Sequence, residues 1–328
     1  MKDRITSKEL AKLVGVSSAT ISRAFSGDAR ISAQTRARVL AMAQQYGYQP
    51  NAIARTLNNR QSDLVAVVVN AIVNPCEAQQ LEMLVHQLQA RSLVPIILCC
   101  GNTTERLQLM RLASTYQVDH AIIFSDLVPL KEAMQIFRTA RLIIVSDEPI
   151  EDARISSVRF DGAQGAAQII EKILADGRKH FAYLCGRNSS WIDKQRRDWF
   201  GDALARHGLA FEVEAHGDYS YDSGFKEASL LLRRTKVDAL VCGNDIMAIG
   251  ARDAAVRLLG RQVPGDLAIV GQDGIAMAGW ECHDLTTLAL DQVAFIDAIV
   301  ELVERQETDN TAASTTVMKC TARWGSTA

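Results

Sequence analysis

Ile5 to Gly27 reads ITSKELAKLVGVSSATISRAFSG, and the order of its apolar and small residues decides the fold of the N-terminal segment. Thr6-Ser7-Lys8-Glu9 has the spacing of a capping box, in which a Thr hydroxyl and a Glu carboxylate satisfy the first free amides of a helix. Leu10, Ala11 and Val14 then share one helical face, and Gly15 permits the sharp turn that ends it. Ser17 is placed to cap a second helix on which Ile21, Ala24 and Phe25 point inward. Ser18, Ala19, Ser22 and Arg23 are left facing out. A third helix is expected from Ala33 to Tyr46, capped by Ser32, stopped at Gly47 and burying Val39, Leu40, Ala43 and Tyr46. Two short helices joined by a glycine turn and braced by a third make a helix-turn-helix.

An outward face of small and hydroxylated side chains buries little in its own fold, but it suits a surface that lies flush against another molecule. The second helix of a helix-turn-helix enters the DNA major groove, roughly 12 Å wide. Short side chains let it sit deep, hydroxyls bond phosphates or base edges, and Arg23 can pair bidentately with a guanine. Charge agrees. Residues 1–62 hold ten Lys/Arg against three Asp/Glu, a net of +7, while the remainder holds 26 basic and 35 acidic residues, a net of −9. A basic head on an acidic body points to a polyanionic partner for the head. The competing reading is a three-helix bundle with a solvated polar face.

Pro50 opens NAIARTLNNRQSD (51–63). Asn51 to Asn58 allow about two helical turns, too few to be stable alone in water, and the residue types suit a helix that folds only against a partner. An interdomain linker is the alternative.

From Asp63 the pattern changes to short apolar runs separated by amphipathic helices: LVAVVV (64–69), PIILCC (95–100), HAIIF (120–124), LIIVS (142–146), FAYLC (181–185), ALVC (239–242) and LAIVG (267–271). Such runs indicate parallel strands covered on both faces. Two doubly wound lobes fit the count better than one sheet of about ten strands. Most runs end in a short polar residue: Asn70, Ser125-Asp126, Ser146-Asp147, Asn244-Asp245 and Gln272-Asp273. Ligands of open parallel sheets bind beyond the carboxyl ends of strands, so these groups would line one cleft if the lobes face each other there. Taken singly, each equally suits the cap of the following helix.

ITSKELAKLVGVSSATISRAFSG followed by GYQPNAIARTL resembles the N-terminal signature of the lactose-repressor/galactose-repressor (LacI/GalR) family over about 60 residues. The resemblance continues through the body in Asn74-Pro75, Asp161 with Gly165, Arg196, Asn244-Asp245 with Gly250, and Gly271-x-Asp273. It implies an α/β chain with an all-α helix-turn-helix head (1–49), a hinge helix or linker (50–62) and a two-lobed core like that of periplasmic sugar-binding proteins (63–328). Lobe 1 would take about 63–160 and 290–316, and lobe 2 about 161–289 and 317–328. Ser18 and Ala19 would read bases with Arg23 beside them, and Thr6, Ser17, Thr20, Ser22 and Asn51 would complete the DNA-facing set. Hinge helices of two subunits would pair in the minor groove, with Leu57 wedged between base steps, Ala54 packed close and Arg55 on the backbone.

The resemblance also implies that Arg196, Asp245 and Asp273 contact a small effector with Tyr219 stacked on it, and the strand-end residues Asn70, Asp126, Asp147 and Asn244 complete the expected set. An arginine fork and carboxylates suit a ligand rich in hydroxyls. Taken alone, Arg196 also fits a surface charge and Tyr219 the core. The sequence departs from the family where an aromatic pair becomes Cys76-Glu77 and where a glycine becomes Trp199. Trp191 and Trp280 are expected near the cleft, and Lys194, Arg196 and Arg197 close together suggest an acidic ligand such as a sugar acid.

The function expected is therefore an effector-controlled, DNA-binding transcriptional regulator, most simply a repressor. Its partners would be double-stranded operator DNA, a sugar or sugar-acid effector and a second copy in a homodimer, since no heptad tail follows TTVMKCTARWGSTA. No cofactor or metal is expected. The alternatives are a doubly wound enzyme and a sugar-binding protein without a regulatory role. Against an enzyme, the sequence has no GxGxxG, Walker or GxSxG motif and no histidine pair at metal spacing. Seven scattered cysteines without a CxxC pair read as buried reduced thiols. No run of about 18 apolar residues spans a membrane, and an N-terminus without an apolar secretory core points to the cytoplasm.

Overall fold

The computed structural model describes residues 5–26, 28–50, 61–101, 105–124, 128–145, 150, 152, 154–188, 190–308 and 313–328. The chain packs as two units, residues 1–62 and 63–328.

In the first unit, α1 (Ser7–Val14), α2 (Ser18–Ser26) and α3 (Ala33–Tyr46) enclose a small core of Leu10, Ala11, Val14, Ile21, Ala24, Val39 and Ala43. The capping box forms: the Thr6 hydroxyl accepts from the Glu9 amide at 3.3 Å and the Glu9 carboxylate accepts from the Thr6 amide at 2.7 Å. Gly15 adopts φ 72°, the left-handed turn that α1 needs to stop. Two expectations for α3 fail, because Leu40 is 39% and Tyr46 45% exposed. The left-handed Gly47 folds the chain back so that Tyr48, not Tyr46, meets Phe25, with ring centroids 5.6 Å apart. Leu40 lies one helical step off the Val39–Ala43 stripe.

The second unit carries β1 (Leu64–Val69), α4 (Pro75–Ala90), β2 (Val94–Cys99), α5 (Arg106–Ser114), β3 (His120–Ile123), α6 (Leu130–Ile136), β4 (Arg141–Val145) and β5 (Ile155–Asp161). The chain goes on through α7 (Ala163–Ala175), β6 (Phe181–Cys185), α8 (Trp191–Ala205), β7 (Phe211–His216), α9 (Tyr221–Arg234), β8 (Ala239–Cys242), α10 (Asp245–Asp253) and β9 (Ala268–Asp273). It closes with β10 (Thr286–Leu290), α11 (Gln292–Thr308) and β11 (Thr315–Arg323).

Strand alternation explains the layering. Val65, Val67 and Val69 face the helices α4 and α11, while Ala66 and Val68 face α5 and α6. Both faces of the first sheet are thus covered, as a parallel sheet requires. On α4, Leu81, Leu84 and Leu88 are buried in that core and Val85 packs partly against it. In the second sheet, Leu184 and Leu240 face α9 and α10, and Tyr183 and Val241 face α7 and α8.

The strands follow one hydrogen-bonded order, β2-β1-β3-β4-β5-β11-β10-β9-β8-β6-β7. Two lobes are present, but their sheets are joined through β11. Its first half pairs parallel with β5 (Thr315 with Ser157) and its second half antiparallel with β10 (Cys320 with Leu290). All seven cysteines are free; Cys76, Cys100, Cys185 and Cys242 are buried, whereas Cys99 and Cys282 are exposed, contrary to a uniform burial.

Candidate functional site

On the head, Ser17, Ser18, Ala19, Ser22 and Arg23 are exposed, while Ile21 and Ala24 on the same helix are fully buried. The Ser17 hydroxyl accepts from the Thr20 amide at 3.1 Å and lies 2.9 Å from the Thr20 hydroxyl, so these two close the first turn of α2. Thr6, also exposed, is engaged in its own capping box. Arg23 sits 3.9 Å from Asp28, whose carboxylate is held by a fork from Arg30. The hydrogen bonds from Arg30 hold the Asp28 carboxyl down at about 2, so it stays ionised. Asn51, Ala54, Arg55 and Leu57 lie outside the described residues.

In the core, a cleft opens at the carboxyl ends of the strands. Its wall takes Asn70, Cys76, Glu77 and Phe160 from the first lobe and Arg187, Arg196, Trp199, Tyr219, Asn244, Gln272 and Asp273 from the second. Five of the expected effector residues (Asn70, Arg196, Tyr219, Asn244 and Asp273) therefore meet on one surface. Asp126 and Asp147 lie outside the described residues.

Arg196 donates from Nη2 to Asp273 Oδ1 at 2.6 Å and from Nη1 to the Gly243 carbonyl at 2.9 Å. Burial alone would lower the arginine's pKa, but the Asp273 charge and hydrogen bond, together with the neighbouring Tyr219 and Cys76, more than offset it, and the guanidinium stays charged. Burial raises the Asp273 carboxyl while Arg196 lowers it. Asp273 holds φ 126°, a strained backbone that aims its side chain at the arginine. Its carbonyl accepts from Gln292 Nε2 at 3.0 Å, and Gln292 Oε1 in turn accepts from Gln80 on α4 at 2.7 Å. A hydrogen-bonded path thus leads from the Asp273 wall into the first lobe.

Asp245 has a different role from the effector contact that the sequence suggests. It is fully buried behind the wall, and its carboxylate accepts from the Gly274 and Ile275 amides at 2.8 and 2.9 Å and from the Thr287 hydroxyl at 2.6 Å. Burial, and then the charge of Asp273, push its carboxyl up to about 6. It fixes the loop that presents Asp273. Asp245→Ala leaves those donors without an acceptor and should destabilise the core by about 3–5 kcal/mol in chemical denaturation. Under about 1 kcal/mol would contradict this role.

Tyr219, at φ 72°, donates from its hydroxyl to Ser190 Oγ at 3.0 Å and accepts at its carbonyl from Asn244 Nδ2 at 3.2 Å. The Arg187 guanidinium lies 4.9 Å over its ring. Gly186 makes this possible: a Cβ there would come within 2.1 Å of the Tyr219 ring. Gly186→Ala should displace the ring and weaken effector binding at least about tenfold while the circular dichroism spectrum stays native. Unchanged affinity would remove Tyr219 from the site.

Several expectations are corrected. Lys194 is exposed, and Arg197 is taken by Glu214 and Asp198, so neither supplies a cation to the cleft. Trp280 is 52% exposed and stacks on His283 away from the wall. Trp191 packs against the first lobe's core and does not line the cleft. Trp199 does line it, flush against Gly162. Arg187, unmarked by sequence reading, follows strand β6 as the other polar groups follow theirs, so the strand-end rule would have found it.

Residues 6–51 match the description "Bacterial regulatory proteins, lacI family", and residues 170–327 match "Periplasmic binding protein-like domain". Among curated relatives, the HTH-type transcriptional regulator AscG of Escherichia coli is 28% identical over 302 residues, covering 90% of each chain. Catabolite control protein A of Priestia megaterium is 28% identical, covering 87% of each. The HTH-type transcriptional repressor CytR of E. coli is 25% identical over 96% of this chain and 94% of its own. The fold matches a lac repressor dimer bound to operator and the anti-inducer ONPF, with a TM-score of 0.86, 21% identity and 99% of both chains covered. From the lacI-type head, the periplasmic-binding-protein-like core and relatives that run nearly end to end with it, the chain belongs to the LacI family of bacterial regulatory proteins.

Proposed function

We propose that the protein is a sequence-specific DNA-binding transcriptional repressor, acting as a homodimer, whose operator affinity is set by a small effector in the cleft between the core lobes. One observation carries this reading: the exposed small-residue face of α2 stands in the same chain as a polar cleft walled by both lobes. Ser18 and Ala19 read base edges in the major groove, Arg23 pairs with a guanine or a phosphate, and Ser17, Thr20 and Thr6 hold the helix in place beside the backbone. Arg196, Asp273, Asn70, Asn244 and Tyr219 hold the effector. Domain limits follow the same division: a head to residue 49, a hinge to 62 and a core beyond. The protein works in the cytoplasm, where its DNA is, and carries out no catalysis.

The effector biases DNA binding through its unequal affinity for two arrangements of the lobes. A gel shift with DNA upstream of its own operon, with and without candidate ligands, tests the whole. A complex that forms and responds to ligand supports the reading; no complex with any native upstream DNA sinks it. The hinge makes a separate prediction. Leu57→Ala should weaken operator binding by a few kcal/mol, the order of an unstacking wedge, with effector affinity unchanged. Normal operator binding by that variant would reduce residues 50–62 to a linker.

A further inference from the structure

The connections between the two core lobes meet at one level. β5 of the first lobe ends at Asp161, and the single residue Gly162 separates it from α7 of the second. β10 ends at Leu290 and is followed at Gln292 by α11, which packs in the first lobe through Phe295 and Ile296. β11 changes partner between them, pairing Lys319 with Asp161 and Cys320 with Leu290. Hinge motion is taken up by a few residues at the ends of elements, so any rotation of one lobe on the other must bend the chain here.

Trp199 of α8 stands in this junction. It and Cys320 both pack against the buried cluster that holds Ile169 and Leu288. A Cβ on Gly162 would come within 2.5 Å of Trp199 Cε3 and 2.9 Å of Leu288 Cδ2, so the indole and the leucine leave no space over the first connection. The same tryptophan lines the cleft beside Phe160, Leu290 and Cys320, one residue from each connection. A close-packed junction has discrete arrangements and not a continuous range, and a bulky ring lodged in it favours one of them. We infer that Trp199 is a wedge that sets the angle between the lobes, and hence a positioning residue for operator control. Operator affinity follows the arrangement of the lobes, so the wedge is felt at the DNA with no ligand present. The inference rests on the regulator reading.

Full-length protein is titrated, without ligand, against a fluorescent duplex of the DNA upstream of its own operon, and binding is followed by anisotropy. Trp199→Leu withdraws the wedge. Gly162→Ala presses on it without straining the backbone, because Gly162 has φ −109°. In folded dimers, each should change operator affinity at least about fivefold. In the double variant the added methyl no longer meets the indole, so the two effects should fail to add by at least about threefold. Saturating unlabelled duplex should also change the tryptophan emission of the wild-type protein, and most of that change should be missing from Trp199→Leu. If Gly162→Ala does not fold, the affinity and emission of Trp199→Leu decide. A merely structural tryptophan would lower the melting temperature and leave the operator affinity of the folded dimer within about twofold, and that result overturns the inference. Strictly additive effects in the double variant overturn it too. A wild-type protein that binds no upstream duplex overturns the regulator reading, and this inference with it.

Discussion

Arg196→Ala should abolish effector binding in calorimetry and lower core stability by about 3–5 kcal/mol in chemical denaturation. The reason is local. The substitution strips a buried carboxylate, Asp273 at 6% exposure, of the cation 2.6 Å away, and it leaves the Gly243 carbonyl without its donor. The two effects are separable. Replacing the pair together, as Arg196→Met with Asp273→Asn, removes both charges and should recover most of the stability, since asparagine tolerates the positive φ of position 273. The double variant should still bind no effector. On DNA, the folded variant should keep near-normal operator affinity without ligand if the effector is an inducer, and remain weakly bound if it is a corepressor. A folded Arg196→Ala dimer with wild-type effector affinity would refute the site.

The second large effect is ionic. A head of +7, present twice in the proposed dimer, would release counterions from several phosphates on binding. Operator affinity should fall about 10³-fold or more between 50 and 200 mM salt, measured by fluorescence anisotropy. Because the small side chains at Ser18 and Ala19 carry no charge, substituting them should change which operator is preferred and leave the salt slope intact. A flat salt response, or operator binding by a chain lacking residues 1–62, would remove the head from the interface.

The head was legible almost residue by residue because its signals are local. A capping box, a left-handed glycine and a helical stripe each act within four residues; only Leu40, one step off the Val39–Ala43 stripe, and Tyr46, replaced in the core by Tyr48 after the chain reversal at Gly47, were misassigned. In the core, the apolar runs marked seven strands. The other four gave no such signal, among them TTVMKCTAR (315–323), whose burial alternates. ISSVRFD (155–161) and TTLAL (286–290) bury serines and threonines that no hydrophobic pattern announces. Their hydroxyls are satisfied by distant partners, as Thr287 is by Asp245 and Ser157 by Thr315. FEVEAH (211–216) alternates because it is the sheet's edge.

The same division governs the site. Strand-end residues such as Asn70, Asn244 and Asp273 follow from a general rule of parallel sheets. That Asp245 turns inward and Asn244 outward depends on which of them caps α10, and Asn244 does, accepting from the Met247 amide at 2.9 Å. Gln80 and Gln292 meet across 212 residues of chain, beyond the reach of any spacing rule.

The central claim is that the cleft and the DNA-binding face are coupled in one molecule, and coupling between two binding sites must be reciprocal. Effector affinity should therefore be measured by calorimetry on the free dimer and on the dimer saturated with operator. The predicted result is a change equal to the factor by which the effector alters operator affinity, on the order of 5- to 150-fold. The same effector affinity with and without operator would contradict it.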